Sequence, residues 1–598
     1  MLALVLLLSA PPPLVFPADP WVLDAKRDLG AVGDGAADDT AALQNGLDLS
    51  CGFHQTTTKV LYLPPGTYRV TRSLVVNGGL GPWLYGAGRD LVRVKLADGS
   101  TGVTSVLRTH PKDDGDTSAD WFMRTVRGLT IDAGDNPGTD GVRWYATNTG
   151  SLADVRVVGN GPVGVNSGFL GKNGPNLIQD VTVEGFKVGV KSHWNWGQTL
   201  SRVTLRDCDV GLSVQATVVA AEGLRTDGCR LPVEVRMPQD WYWWAGVLAV
   251  VGGDLRGGGA VAVHNRGILY ARDVTAAGFP AALDDRGKLV PGPVAEFASL
   301  GVKSLFDGPT APLRLPIQPE PAEEWEADPA KWLCANDHGA TAGDNRDDTA
   351  ALQKAIDAAA AAGRTTVYLR GCGGGDPNWY TLDGDVHIHG SVRHVLGLGF
   401  GRVLGKGRLV VDDRSAKVVT VRHLESFGGR PIVVENRSAA NTLVVRSCGV
   451  TVRGAGSGDI FVTDCPAHVE LTKPGQKLWA RHLNPEGDSD TGLVVNRGGD
   501  LWALGVKHEG RGVRVAAVGG RTELFGVFNY GPGLTDDDRR TWFDLTDAKV
   551  GVYGLRELNF GGHAWKRKVV ERRGGTTKEL GVEEGHGWIG WSGFVGGQ

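Results

Sequence analysis

Two glutamates on one internal repeat are the residues of this chain best placed to do acid–base chemistry. The segments KLWARHLNPEG (Lys477–Gly487), DLWALGVKHEG (Asp500–Gly510) and RTELFGVFNYG (Arg521–Gly531) align on one another, the first two without a gap at a step of 23, from Leu478 to Leu501. Glu486 and Glu509 are therefore equivalent positions of consecutive copies. If the copies stack as strands, the two carboxylates are neighbours about 4.8 Å apart along the stack. Adjacent carboxylates repel, which raises the proton affinity of one of them. A carboxylic acid kept protonated near neutral pH is a general acid. Arg481 and Lys507 are the nearby cations that would neutralise a purely structural pair. Glu523, in the third copy, aligns with Trp502 rather than with Glu509, and is a candidate for substrate contact or for a structural role.

A repeat of this length, with a short strand and a turn in each copy, points to a stacked solenoid. The first half keeps a similar step: Gly141-Val142, Gly164-Val165, Gly189-Val190 and Gly211-Leu212 follow one another at 23, 25 and 22 residues. The runs at Leu129–Ile131, Val155–Val157, Val181–Val183 and Val203–Leu205 recur with them. Their alternation has period 2, the mark of strands with one face inward. The fold predicted is all-β: two tandem right-handed parallel β-helices with short capping helices. The duplication is plainest in DDTAALQ, at Asp38–Gln44 and again at Asp347–Gln353, an offset of 309. Each copy follows a Gly/Asp-rich turn and opens a short helix, over Thr40–Leu49 and Thr349–Ala362, because Asp before an Ala/Leu run starts a helix. Such a helix would close the open end of a solenoid. The span Gly308–Pro329 is too rich in Pro to pair as regular strand and reads as a linker. The organisation expected is 1–18 signal peptide, 19–307 first β-helix, 308–330 linker, 331–534 second β-helix and 535–598 a cap or wrap that loses the period. That last part carries a basic patch (Lys566, Arg567, Lys568, Arg572, Arg573) and Trp588 and Trp591.

At 598 residues the chain exceeds one ordinary domain. Lys plus Arg number 63 against 67 for Asp plus Glu, which gives no electrostatic case for a nucleic acid or an anionic membrane as partner. Gly is 89 of 598, about twice the usual ~7%, which fits many turns between short strands. Met1–Ala10 is apolar but shorter than the ~20 residues that span a bilayer; with the prolines after it, it fits a secretory signal that lacks a leading basic residue. The protein is accordingly expected to be secreted or periplasmic, and a monomer. Of seven cysteines, Cys208 and Cys229 are about one repeat apart and are placed to stack, and Cys448 and Cys465 are a weaker pair. No CxxC occurs, and buried free thiols are the expected state. His387-Ile388-His389 sets two imidazoles on one strand face without a third ligand. Asp412-Asp413 and Asp536–Asp538 have no repeat-spaced companion. Neither a metal nor a cofactor is expected.

The stretch DLGAVGDGAADDTAALQ (Asp28–Gln44), with YLPPGTYRV (Tyr62–Val70), resembles the pectate-lyase-like β-helix superfamily. The duplication, together with DNPGTDGVRW (Asp135–Trp144), ARHLNPE and LGVKHEG, resembles glycoside hydrolase family 55 over roughly Trp21 to Tyr530. That family comprises double β-helix β-1,3-glucanases, or laminarinases. The resemblance implies two β-helices side by side, a cleft between them that holds the glucan end, and inverting hydrolysis. By the same match Glu509 is the general acid and Glu486 its partner one repeat earlier. The family's Arg-Gln-Leu-Asn-Pro-Glu and Lys-Thr-Glu read here with His482 for the Gln and His508 for the Thr. Its first-helix glutamines, which hold the attacking water, correspond to His193–Thr199, where Asn195 and Gln198 are the candidates. Trp194 and Trp196 are flat surfaces for a pyranose face and, with Glu523, His508 and His482, complete the candidate substrate-binding set. The cluster Asp240–Trp244 is expected in a core or an interface. The expected partner is a polysaccharide, a neutral β-glucan in the first place. One alternative is a polysaccharide lyase or a hydrolase of pectin-like uronans, which needs Ca²⁺ or a cationic group beside the uronate. Another is a non-catalytic carbohydrate-binding or surface scaffold protein, to which the altered first-helix stretch points.

Overall fold

The computed structural model describes residues 13–597 apart from 53–57, 116, 118, 120, 239–244, 373–377, 427–428, 532–540, 559–564, 566 and 582–589. The apolar Met1–Ala10, the Asp240–Trp244 cluster, Asp536–Asp538, Lys566 and Trp588 lie outside the described residues.

Each half is a parallel β-helix, called a coil below. In the first coil one turn runs through strands Thr182–Glu184, Val188–His193 and Gln198–Ser201, and the next repeats it as Thr204–Arg206, Val210–Gln215 and Val218–Glu222. Every strand pairs in parallel with its counterpart one turn later. The inward positions therefore stack like on like: Val190 on Leu212 on Val233, and Leu200 on Ala221 on Val250. The Gly-Val steps fall into one such column, Val142 on Val165 on Val190 on Leu212. In the larger sheet of the second coil an inward column runs through Val445, Val462, Ala480, Ala503 and Leu524. All of these are buried, and each fully buried Val or Leu contributes about 1.5–3 kcal/mol.

The repeated DDTAALQ opens helices Thr40–Ser50 and Thr349–Ala361. The first Asp of each copy, Asp38 or Asp347, accepts the amide of Thr40 or Thr349 at 3.0 Å. The second ties down loop backbone: Asp39 holds the amides of Val32 and Gly33, and Asp348 those of Thr341 and Thr381. The closing Gln clamps a strand edge from both sides, Gln44 on the backbone of Val75 and Gln353 on that of His387. The identity is thus a device that starts a helix and fastens it to the sheet.

The two coils pack side by side through their larger sheets. Gly505, Gly526 and Gly554 on the second coil take φ of +70°, +64° and +68°, and a Cβ there would lie 1.7 Å from Thr199, 2.4 Å from Ala220 and 2.8 Å from Ala249. Glycine is needed for both the backbone conformation and the close approach. Polar contacts cross the same seam: Arg481 to Glu222 at 3.1 Å, Arg272 to Glu523 at 2.7 Å, and the Gly150 amide to Asp464 at 3.0 Å. The Pro-rich span 308–330 runs along this seam with little regular structure. Glu320 pairs with Arg446 at 2.6 Å, and Glu323 pairs with Arg127 of the first coil at 2.8 Å and Arg422 of the second at 2.5 Å. Burial alone would raise the Glu323 carboxyl, but the guanidiniums of Arg422 and Arg127 outweigh it and hold it well below the usual carboxylate range. The linker is therefore also a strap that binds both coils.

The last segment departs from the expectation that the period ends near residue 535. Strands Thr541–Thr546 and Lys549–Leu558 add a further turn in register, Gly590–Gly596 then pairs antiparallel to Lys549–Leu558, and Val302–Lys303 from the end of the first coil forms the sheet edge beyond it. Trp542, Trp565 and Trp591 fill this end with edge-on contacts 6.1 and 5.6 Å apart. All seven cysteines are free thiols, and the Cys448 amide lies 3.4 Å from Cys465 Sγ one turn on. No described helix is long and apolar enough to cross a membrane.

Candidate active site

Strands Lys477–Leu483 and Asp500–Glu509 pair with Leu478 opposite Leu501, and a separate bridge sets Glu486 against Glu509. The side chains of the two glutamates are 36% and 31% exposed. They are not a bare repelling pair. Side chains alternate along a strand, so Lys507 emerges on the same face as Glu509, two residues on. Its buried ammonium donates to Glu486 Oε1 at 2.8 Å and also to the Glu509 carboxylate. Asn484 Nδ2 donates to the same Glu486 oxygen at 3.0 Å and to Asn148 Oδ1 of the first coil at 2.7 Å. Burial alone would raise the Glu486 carboxyl, but the Lys507 ammonium and the Asn484 and Asn148 side chains outweigh it and hold it below its ordinary value. Burial likewise opposes the charge of Lys507, and the two carboxylates overcome it and strengthen its hold on its proton. The unit is two carboxylates around one ammonium, with Glu486 ionised.

Tyr530 follows Glu509 in the next turn's register. Burial first, then the negative charge of Glu509, raises its hydroxyl. Trp196 reaches across from the first coil and packs on Tyr530 with ring centres 5.2 Å apart. Trp194 stands 45% exposed, its backbone at φ +53°. Beyond Glu486 the gap between the coils widens into a cavity of ≈ 280 Å³, with Phe122, Asn148 and Thr149 on the first-coil wall and Glu425, His468 and Glu486 on the second.

The remaining expected site residues lie elsewhere. Asn195 donates to Ser192 Oγ at 3.0 Å and accepts from the Gly197 amide and the Thr217 hydroxyl. Gln198 donates to Ser167 Oγ at 2.8 Å and Asn176 Oδ1 at 2.9 Å. Both amides are buried and join turns of the first coil to one another, so neither presents an amide to the carboxylate pair. His482 is buried in the seam with Nε2 3.1 Å from the Asn148 carbonyl, and burial pushes it down to about 4. His508 points into the second coil, Nδ1 3.0 Å from Asn529 Oδ1, and burial pushes it to about 3. Glu523 is fully buried and accepts from Arg272 and from the amides of Arg314 and Leu315, so it anchors the strap to both coils rather than touching a ligand. His387 and His389 hydrogen-bond to Asp412 and Asp357 at 3.0 and 2.8 Å, and no metal-ligating cluster occurs among the described residues.

Of the two cations expected beside a purely structural pair, Lys507 does bridge the glutamates, whereas Arg481 turns to Glu222 across the seam. Sequence reasoning missed Tyr530 and Asn148; the place of Tyr530 is written in its register with Glu509. Asn148 carries a fainter signal, an Asn free to take the φ of +57° found there.

Two parallel β-helices held face to face, with a carboxylate–ammonium–carboxylate unit at their seam, define a double β-helix protein. Residues 25–231, within the first coil, match the family described as "Rhamnogalacturonase A/epimerase, pectate lyase-like". Among curated proteins, one named "Probable glucan endo-1,3-beta-glucosidase" from Arthroderma benhamiae is 25% identical over 224 residues, 31% of this chain and 25% of that protein. The "Glucan 1,3-beta-glucosidase" of Cochliobolus carbonum is 24% identical over 31% of this chain and 28% of its own length. The mannuronan C5-epimerase AlgE4 of Azotobacter vinelandii is 34% identical over 190 residues, 30% of this chain and 29% of its own. The chain thus spans about a quarter of the length of the glucanase relatives it matches. Among solved structures, sacteLam55A from Streptomyces sp. SirexAA-E aligns over 95% of this chain and 98% of its own at 13% identity, with a TM-score of 0.39.

Proposed function

We propose that this protein is an exported glycoside hydrolase that cleaves β-1,3-glucan at the seam between its coils, as a monomer and without a cofactor. The observation that carries the reading is the pair Glu486 and Glu509 on adjacent turns around Lys507, beside the Trp196–Tyr530 wall. The two glucanase relatives support the substrate, and the apolar start of the chain supports export.

In this reading Glu509 gives its proton to the leaving glycosidic oxygen, and Lys507 stabilises the carboxylate that results. Glu486, already ionised, keeps Lys507 in place and offsets the positive charge that develops on the sugar ring. The attacking water enters from the first-coil side, where Asn148 joins the Asn484–Glu486 hydrogen bonds, and the proton it sheds on adding to the anomeric carbon passes to bulk solvent. A water delivered opposite the acid gives inversion.

A uronan substrate is the second reading, favoured by the description of the matched family and by the epimerase relative. Incubating the purified protein with laminarin, pectate and alginate, with and without a chelator, separates the two. Chelator-insensitive release of reducing sugar from laminarin, with the first product in the α configuration by NMR, is expected. Unsaturated products from a uronan, lost on chelation, would overturn the proposal.

A further inference from the structure

Strand Thr147–Val158 of the first coil breaks register where it meets the candidate site. Thr147 pairs with Phe122 and Gly150 with Arg124, so Asn148 and Thr149 together stand opposite Met123 alone. A bulge of this kind re-aims a side chain and leaves backbone groups to find other partners. Here the partners come from the second coil. The Asn148 carbonyl accepts from His482 Nε2 at 3.1 Å, and the Gly150 amide donates to Asp464 Oδ1 at 3.0 Å. A carbonyl only accepts, so the His482 proton sits on Nε2. Ser447 Oγ donates to the second Asp464 oxygen at 2.8 Å, and the Ser151 hydroxyl adds a further bond to the carboxyl.

The two clamping residues belong to one column. Asp464, His482, Gly505, Gly526 and Gly554 stand in register on successive turns of the second coil, all at positive φ. At the three glycines the coils approach until a Cβ would collide with the first coil. Asp464 and His482, at φ +57° and +59°, carry side chains across instead, on the turns beside the cavity that Asn148 and Glu486 line. Left-handed backbone is uncommon outside glycine, and strain of this kind gathers at functional sites. On the far side of the bulge, Asn148 Oδ1 accepts from Asn484 at 2.7 Å, and the Asn148 side chain is one of the groups that hold the Glu486 carboxylate. We infer that Asp464 and His482 are positioning residues: they clamp the first-coil bulge so that Asn148 meets Glu486, and the acid site is completed across the seam. Burial pushes the Asp464 carboxyl up to about 7 against the donors around it. Near neutral pH it is therefore only partly charged, and its oxygens hold the bulge. The inference rests on the hydrolase reading for its effect on turnover, and the clamp itself is read without substrate.

The test is hydrogen exchange of the full chain, read on the peptide spanning residues 147–152, beside kcat on laminarin. Asp464→Leu removes the acceptor, and exchange of that peptide is expected to rise about ten-fold, the loss of one hydrogen bond. Turnover is expected to fall about ten- to hundred-fold with KM little changed, because Asn148 no longer steadies the charge on Glu486. Asp464→Asn keeps an oxygen for the Gly150 amide and is expected to recover most of both. His482→Phe, which releases the Asn148 carbonyl, should repeat the Leu result, and it carries the test if Asp464→Leu does not fold. In an Asn148→Ala background, Asp464→Leu should lower turnover no further, since residues that act through one another are not additive. Gly554→Val, which crowds Ala249 elsewhere in the seam, should lower the thermal midpoint and leave exchange of this peptide unchanged. Wild-type exchange in Asp464→Leu, an equal rise in Gly554→Val, or losses that multiply in the double variant would overturn the assignment. If no glycan is hydrolysed yet the exchange pattern holds, the hydrolase reading falls and the clamp stands. If laminarin is hydrolysed and neither exchange nor turnover responds to Asp464→Leu, the clamp falls alone.

Discussion

Replacing Lys507 with Met keeps the length and packing of the buried side chain and removes only the charge between Glu486 and Glu509. The two carboxylates then face each other one turn apart. At about 4.8 Å and an effective dielectric of about 20, their repulsion is about 3 kcal/mol, or about two pH units in the proton affinity of the pair. Each side chain is about a third exposed, and solvent trims the effect to about one unit or more. The carboxylate depressed by Lys507 would lose that depression, so the pair keeps its first proton to higher pH. The assay is the pH dependence of kcat/KM on laminarin for wild type, Lys507→Met and Lys507→Arg. The high-pH limb, set by the proton on the acid, is expected to move up by one to two units in the Met variant and to return towards wild type in the Arg variant. The maximal rate should fall as well, because the carboxylates lose their common anchor. Superimposable limbs would refute the reasoning and leave Lys507 a packing residue.

Other consequences concern the seam and its titration. Gly526→Val forces a side chain onto Ala220 at a residue with φ +64°; overpacking and backbone strain together should cost about 3 kcal/mol, seen as a lower midpoint in thermal unfolding. Glu222→Ala strands the buried Arg481 guanidinium and should cost about 3–5 kcal/mol, with Arg481→Met in the same background recovering part of it. The folded protein holds His482 neutral, with a value of about 4 against an ordinary 6.5. The unfolded chain therefore binds this proton more readily between those values. Stability from this group is fully present above pH 6.5 and is lost as pH falls towards 4, by about 3 kcal/mol. Denaturant titrations at pH 7 and pH 4.5 should differ in that direction, and less so for His482→Gln.

What the sequence made legible is what repeats along the stack. The step of 23 sets Leu478 on Leu501 and Glu486 on Glu509, because a coil turns its register into a fixed spacing. The DDTAALQ identity could be read as a cap for the same reason. What crosses between the coils was not legible. His482 meets Asn148, and Arg481 meets Glu222, across 334 and 259 residues of chain, and no period links such positions. Asn195 and Gln198 were placed at the water site by resemblance, but their amides lie inside the first coil, where stacked polar residues join the turns. Glu523 looked like a subsite because it is acidic and one turn on, yet its place in the strand sends it into the seam. The strap was read only as a linker, since the arginines that pair with its Glu320 and Glu323 lie about a hundred residues or more away in sequence.

The central claim is that Glu509 supplies the proton. It is tested most directly by kcat on laminarin for wild type beside Glu509→Gln, a change that keeps the shape and removes the acid. A fall of about 10²–10⁴-fold with the fold intact is predicted, the usual worth of a general acid. A variant that turns over laminarin at the wild-type rate would contradict the account.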